Sequence, residues 1–279
     1  MAGVEHDITV AAWLDQAAGR LASRLEAQVL LGHVLGRDRA WFYAHGESFL
    51  EPAVRETADA LLRRRLEGEP VAQITGRREF WSRDFLITPD VLIPRPETEL
   101  LVEQALATDQ PDGARVLDLG TGSGCIAVTL ACERPRWQVT ATDRCPAALA
   151  AARDNARRLE AENLEFLEGR WFEPLTGRRF DLVVSNPPYI AAEDPHLDRG
   201  DLRFEPRPAL VAEDNGLADL DWIISGARSH LEPGGWLMLE LGHDQAAAVR
   251  ERMTRSGFGQ VELVCDGAGI QRVARGRLG

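Results

Sequence analysis

Residues 114–132 constrain this chain more than any other stretch. Ala114-Arg115-Val116-Leu117-Asp118-Leu119 is a short apolar run that reads as a buried strand; Gly120-Thr121-Gly122-Ser123-Gly124 follows at once, and residues 125–132 read as a helix. A strand, a glycine turn and a helix bring backbone close to a ligand at a helix N-terminus. Glycine is needed where a side chain would meet that ligand or where φ must be positive. A second strand, 137–142, leads to Asp143. Its distance past the glycines suits an acid that accepts hydrogen bonds from a ribose. A dinucleotide fingerprint fits only partly, because it wants Gly or Ala at position 125, where Cys125 stands. Strands and helices then alternate: helix 146–160, strands 164–168 and 180–185, helix 217–231, strand 235–240, helix 244–256, and strands near 260–264 and 270–274. Such alternation predicts an α/β fold with a mostly parallel sheet covered on both faces.

The strand at 180–185 runs straight into Asn186-Pro187-Pro188-Tyr189. Two prolines fix φ and remove donors, so the loop is stiff and presents carbonyls. The Asn186 side chain adds an acceptor oxygen and Tyr189 adds a flat apolar wall. Acceptors beside an aromatic face suit a planar group bearing an NH2, either an amide or the exocyclic amine of a base. The plainer reading is a strand-terminating turn.

The chain has 279 residues, enough for one large domain or two ordinary ones. Net charge is −12, and nonspecific grip on nucleic acid comes mainly from cations that neutralise phosphates. No direct nucleic-acid binding is therefore expected. Every non-histidine cation is arginine, which excludes lysine nucleophiles and Schiff bases. Cys125, Cys132, Cys145 and Cys265 have no zinc-knuckle or redox spacing and read as reduced thiols. No metal site is expected. With no visible secretory signal and no apolar stretch long enough to span a membrane, the expectation is a cytoplasmic protein without membrane contact.

Residues 1–70 show helical periodicity: a helix from Thr9, a second over 24–35 stopped by Gly36, a third over 51–67. His33 reads as packing. Arg63-Arg64-Arg65 reads as a solvated, dipole-favoured last turn. Residues 71–98 read as a β-hairpin linker, with strands at 80–87 and 91–93 around the turn Thr88-Pro89-Asp90. Residues 99–279 are expected to form the larger domain, and 1–70 a helical bundle, taken as the candidate for substrate recognition.

The ordered set of glycine loop, acid after strand two and Asn-Pro-Pro-Tyr after strand four resembles class I (Rossmann-like) S-adenosyl-L-methionine-dependent methyltransferases. The resemblance implies that Gly120, Thr121, Gly122, Ser123, Gly124, Asp143 and Asn186 border the cofactor. It also implies that Asn186, Pro187, Pro188 and Tyr189 hold the acceptor nitrogen, with Asn186, Pro187 and Tyr189 acting in catalysis. Phe80-Trp81-Ser82, the run Leu92-Ile93-Pro94-Arg95-Pro96-Glu97-Thr98-Glu99, Arg203-Phe204-Glu205-Pro206 and Glu240-Leu241-Gly242 narrow it further. With them the chain is similar to the PrmC/HemK family of release-factor glutamine methyltransferases over nearly its whole length. This implies that the substrate is the glutamine amide in the Gly-Gly-Gln loop of class I peptide chain release factors, and that the chain works as a monomer. Trp171 matches an aromatic position at the cofactor adenine, with a core tryptophan as the plain reading. The residue before it, commonly acidic in such enzymes, is Arg170 here, which leaves the adenine contact open. Arg95, Pro96 and Glu97 either shape the pocket or cap a helix; Arg203 and Glu205 are an exposed pair or part of a substrate-facing loop.

The rival readings are a ribosomal-protein glutamine methyltransferase, a nucleic-acid adenine amino-methyltransferase, a nicotinamide-dependent oxidoreductase and a non-catalytic cofactor-binding module. A base methyltransferase would need a basic groove. The oxidoreductase is weakened by Cys125, and the non-catalytic module by the intact loop at 186–189.

Overall fold

A computed structural model describes residues 8–279, which fall into two units. The first unit comprises residues 8–76 together with Arg199–Phe204. Its helices are α1 (Val10–Leu21), α2 (Arg24–Leu35), α3 (Arg39–Ala44), α4 (Pro52–Leu66) and α5 (Val71–Thr75). Caps set their ends: the Thr9 hydroxyl accepts from Ala12 N–H, the Ser23 hydroxyl from Glu26 N–H, and Gly36 closes α2 with φ +63°. Trp13, Leu14, Leu31, Phe42 and Leu62 pack the core. Two expectations change here. His33 is exposed, because it falls with Val29 on the outer side of α2 while Ala27 and Leu31 point inward. Arg65 is not a solvated last-turn cation. It holds Glu26 at 2.8 Å and Asp201 at 3.0 Å, and so ties the distant segment 199–204 into this unit. Gln73 supports the same segment by donating to the Phe204 carbonyl at 3.0 Å.

The second unit comprises Arg77–Asp198 and Glu205–Gly279. It opens with a hairpin of β1 (Arg77–Phe80) and β2 (Arg83–Leu86), in which Phe80 pairs with Arg83. The expected strand at 80–87 is thus broken by a two-residue turn. Trp81 and Ser82 both take positive φ, at 51° and 55°, a conformation that usually calls for Asn-Gly. Tertiary contacts hold it instead: Trp81 N–H donates to Glu99 at 2.8 Å, and its indole N–H to Glu133 at 3.2 Å. Val91 and Ile93 are buried, but 91–93 make no ladder; the Ile93 N–H goes to Glu205. Then come α6 (Thr98–Leu106), β3 (Arg115–Leu119), α7 (Cys125–Glu133), β4 (Gln138–Asp143), α8 (Pro146–Arg158), β5 (Leu164–Glu168) and β6 (Phe180–Ser185). The single turn α9 (Glu213–Gly216), α10 (Ala218–His230), β7 (Leu231–Glu240), α11 (Ala246–Arg255), β8 (Phe258–Cys265) and β9 (Gln271–Leu278) complete it.

Seven strands form one sheet in the order β5-β4-β3-β6-β7-β9-β8. The pairs from β5 across to β7 are parallel; β9 lies antiparallel to both neighbours, between β7 and β8. The chain builds outward from β3 to β5, then returns to the other side of β3 with β6. That reversal leaves a crevice past the carboxyl ends of β3 and β6. Buried Asn155 on α8 ties the hairpin to the glycine loop: it bonds Leu86 N–H and carbonyl, and donates to the Ser123 carbonyl at 2.9 Å.

Gly216, at φ +83°, lies so close to the loop after β6 that a Cβ there would stand 2.2 Å from the Tyr189 carbonyl oxygen. Gly216→Ala should therefore cost about 2 kcal/mol or more, a melting-temperature drop of at least roughly 4 °C. Gly267→Ala, whose Cβ meets no atom within 4 Å, should stay within about 0.5 kcal/mol. Equal melting temperatures for the two variants would contradict this packing.

Candidate active site

Strand register builds the site. Leu119 pairs with Thr142 on one side and Ser185 on the other; Thr142 pairs with Leu167, and Ser185 with Leu239. The next residue on each strand therefore falls in one row: Glu168, Asp143, Gly120, Asn186, Glu240. The Ser185 hydroxyl, donating to the Leu119 carbonyl at 2.7 Å, fixes β6 against β3 at this level. Above the row lies a cavity of about 530 Å³, bordered by Gly120, Gly122, Asp143, Trp171, Asn186 and Pro206 among others.

Glycine loop and second-strand acid are joined directly. Gly120 N–H and Thr121 N–H both donate to the Thr142 carbonyl at 2.9 Å, and Gly122 N–H donates to Asp143 Oδ2 at 2.9 Å. Asp143 Oδ1 accepts from Cys145 N–H at 2.9 Å. Each carboxylate oxygen keeps a lone pair for a further donor. Two glycines are obligatory for different reasons. A Cβ on Gly120 would press on the Trp171 ring at 3.1 Å, whereas one on Gly122 would meet no protein atom and would fill the cavity the residue lines. Thr121 and Ser123 are buried in the turn.

Asp118 lies beneath the loop, fully buried, and its Oδ2 accepts from the Thr121 hydroxyl at 2.7 Å. Burial pushes its pKa up to about 7, against the Thr121 hydroxyl and the Ala127 N–H, which favour the carboxylate. Cys125 borders the cavity, but burial pushes its thiol up to about 12, so it stays protonated. All four cysteines are free.

At the far end of the cavity, Trp171 takes φ +49°, a conformation rare for a bulky residue. The Thr142 hydroxyl donates to its carbonyl at 3.2 Å, and its indole N–H donates to Asp219 at 3.3 Å. Arg170 pairs with the same Asp219 at 3.1 Å. Asp219 on α10 thus brings a carboxylate beside Trp171 although residue 170 is a cation.

The loop after β6 divides its residues. Asn186 and Pro188 line the cavity. Pro187 is buried, and half-buried Tyr189 turns its hydroxyl to Glu240 at 3.2 Å. Gln245 braces the loop: its NH2 donates to the Tyr189 carbonyl at 2.9 Å, and its Oε1 accepts from Gly242 N–H. Asn186 Nδ2 donates to the Thr98 hydroxyl at 3.1 Å, which leaves the amide oxygen for another partner. Of the two readings of Glu205, the exposed pair with Arg203 does not hold: Glu205 is buried, paired with Arg95 and accepting from Ile93 N–H at 2.9 Å. Arg203 donates to the Glu67 carbonyl in the first unit. The pair with Glu205 settles Arg95: it anchors the wall formed by Pro206 and Pro208. No motif points to Asn155 or Asp219. Thr98 has only its place within Pro96-Glu97-Thr98-Glu99 as a signal.

Comparison with known proteins decides the family. A methyltransferase small domain model matches residues 96–200 and a PrmC N-terminal domain model matches residues 12–76. The release factor glutamine methyltransferase of Salmonella typhimurium is 51% identical over 95% of this chain and 98% of its own length. That of Escherichia coli is 47% identical over 95% and 97%. The chain belongs to the release factor glutamine methyltransferase family. A methyltransferase from Pyrococcus furiosus, 20% identical, superposes with a TM-score of 0.55 over 78% of this chain and 97% of that one, and shows the shared fold. Among the described residues no helix is long and apolar enough to cross a membrane.

The burial of Asp118 has a pH signature. From its ordinary value of 3.8 up to about 7, the unfolded chain has lost the proton and the folded chain keeps it. Stability falls as pH rises through that window, by at most about 1.4 kcal/mol per unit. Relative to Asp118→Asn, the wild type should lose urea-unfolding free energy from pH 4 to pH 7. A difference that stays flat across this range would contradict the assignment.

Proposed function

We propose that this chain transfers a methyl group from S-adenosyl-L-methionine to the side-chain amide nitrogen of the glutamine in the Gly-Gly-Gln loop of class I peptide chain release factors. One observation carries the reading: Asn186 stands at the sheet's reversal point beside the glycine loop, with its NH2 engaged and its oxygen free to accept. The fit to the cofactor is supported by the open space over Gly122, the Asp143 carboxylate with lone pairs to spare, and the Trp171 ring over Gly120. Gly120 to Gly124 and Asn186 would border the amino acid part of the cofactor, Asp143 its ribose and Trp171 its base.

The cofactor supplies a methyl group on a positively charged sulfur. Asn186 Oδ1 and the Pro187 carbonyl each accept one hydrogen of the glutamine NH2. Held this way, the weakly nucleophilic nitrogen is aimed along the methyl–sulfur axis and gains electron density. The cofactor would give up its methyl carbon and keep the sulfur's bonding pair as S-adenosylhomocysteine, while Asn186 and the Pro187 carbonyl would hold the nitrogen in line and its surplus proton would pass to water. Positioning and electrostatics supply most of the gain. Tyr189, with its hydroxyl tied to Glu240, fixes the wall against which the amide lies. Residues 1–70 act as a recognition module for the release factor, and residues 71–98 link them to the catalytic domain of residues 99–279. Every proposed catalytic residue lies within one unit of one chain, which supports a monomer as the active species; the reading places it in the cytoplasm without contact with nucleic acid or membrane.

Incubation with purified release factor and methyl-labelled cofactor, followed by mass mapping, should place the label on that glutamine. A label on another residue would contradict the reading. Asn186→Ala should lower kcat by about 100-fold or more, with affinity for S-adenosylhomocysteine kept within about threefold. Gly122→Ala should do the reverse, weakening that affinity about tenfold or more through its intruding Cβ.

A further inference from the structure

Gly169, Arg170 and Trp171 border one end of the cavity. The two polar side chains among them offer only donors: a guanidinium has five N–H groups and no acceptor, and an indole has a single N–H. Asp219, in the first turn of α10, borders the cavity at the same place, and its side chain keeps only 14% of its surface exposed. Both donors converge on one of its oxygens. Oδ1 accepts from the Trp171 indole N–H at 3.3 Å and from the Arg170 guanidinium at 3.1 Å. Oδ2 has no hydrogen-bond partner among the described residues. The Arg170 guanidinium also lies over the exposed ring of Trp222, 5.6 Å from its centroid.

These bonding capacities decide what this end of the cavity can hold. Neutralising Arg170 and fixing the Trp171 ring accounts for Oδ1 alone. Oδ2 keeps its lone pairs and lacks a donor. Adenine carries a donor on its edge, the 6-amino group, whereas a 6-oxo purine carries an acceptor at the same position. Without Asp219, the side chains here would set donors against that amine. We infer that Asp219 is the specificity-determining residue for the cofactor's base: its Oδ2 accepts the 6-amino group of adenine, and it rejects a 6-oxo purine by setting lone pair against lone pair. The inference rests on the placement of the base beside Trp171 and of the ribose at Asp143. It adds what Trp171 lacks, since an aromatic face stacks on every base alike. It also gives the cation at position 170 a place, because one oxygen of Asp219 takes up its charge while the other reads the base.

Asp219→Asn is informative because the two donors orient the new amide. Trp171 and Arg170 both need its oxygen, so its NH2 falls where Oδ2 stood. The corner then presents a donor to the base, and a 6-oxo group becomes the better guest. An acid that served only to balance Arg170 would show no such exchange of preference.

Calorimetry on the full chain tests this by comparing S-adenosylhomocysteine with S-inosylhomocysteine, in which an oxygen stands at position 6 of the purine. The wild type should bind the amino form about 10- to 100-fold more tightly. In Asp219→Asn the preference should shrink to about threefold or less, or reverse. Equal binding of the two by the wild type, or a wild-type preference kept in Asp219→Asn, would overturn the inference. Should Asp219→Asn not fold, a crystal structure of the wild type with S-adenosylhomocysteine decides. The 6-amino nitrogen should lie within hydrogen-bond distance of Asp219 Oδ2; an amine bonded to another group overturns the inference. Asp143→Ala separates the two levels, and should weaken S-adenosylhomocysteine binding about tenfold or more. If that variant binds as the wild type does, the placement of the cofactor fails and the inference with it. If it binds weakly while Asp219→Asn keeps the wild-type preference, only the role of Asp219 fails.

Discussion

Parallel pairing at the carboxyl ends of β3, β4, β6 and β7 is the constraint on which the rest of the structure depends. One register brings Asp143, Gly120, Asn186 and Glu240 into a single row although they are spread over 120–240 in the chain. A slip of one residue would move every side chain to the opposite face and break the row. The Ser185 hydroxyl on the Leu119 carbonyl pins this register where β6 meets β3. The crevice, the glycine approach and the amide-binding loop are consequences of that alignment and of the reversal in strand order.

Around this row the protein holds groups in states they would not choose in water. Asp118 and Glu240 are carboxyls with raised pKa, and Trp171, Trp81 and Ser82 carry positive φ. Each lies at the cavity or on an element braced against it. Such strain persists only where neighbours over-determine the conformation. Glu99 and Glu133 are those neighbours at the Trp81-Ser82 turn and Asp219 at Trp171, and each bonds to backbone or indole. Their cost is repaid in a site whose polar atoms point one way before any ligand arrives.

Much of this was legible in the sequence, and for definite reasons. Buried parallel strands are continuous apolar runs, so β3, β4 and β6 stand out, and Gly120 to Gly124 with Asp143 mark the crevice. The cap residues Thr9 and Gly36 mark helix ends as their chemistry requires. The sequence pattern runs the hairpin's two strands into one because its turn is Trp81-Ser82, which carries no Gly or Asn; contacts to Glu99 and Glu133 make that turn possible. The short helix α3 lacks a long periodic signal. The allegiance of segment 199–204 to the first unit, through Arg65 and Asp201, joins residues 136 apart and leaves no local trace. The same is true of Glu205 with Arg95, of Asp219 with Trp171 and of Thr98 with Asn186. Sequence motifs name such residues singly; only the fold shows which of them touch.

The account stands or falls on how the amide of residue 186 meets its guest. A crystal structure of the chain with S-adenosylhomocysteine and a glutamine-bearing peptide from a release factor measures this directly. The glutamine nitrogen should lie within hydrogen-bond distance of both Asn186 Oδ1 and the Pro187 carbonyl, with Asn186 Nδ2 still on Thr98. A glutamine that presents its oxygen to Asn186, or binds away from the row of strand ends, would contradict it.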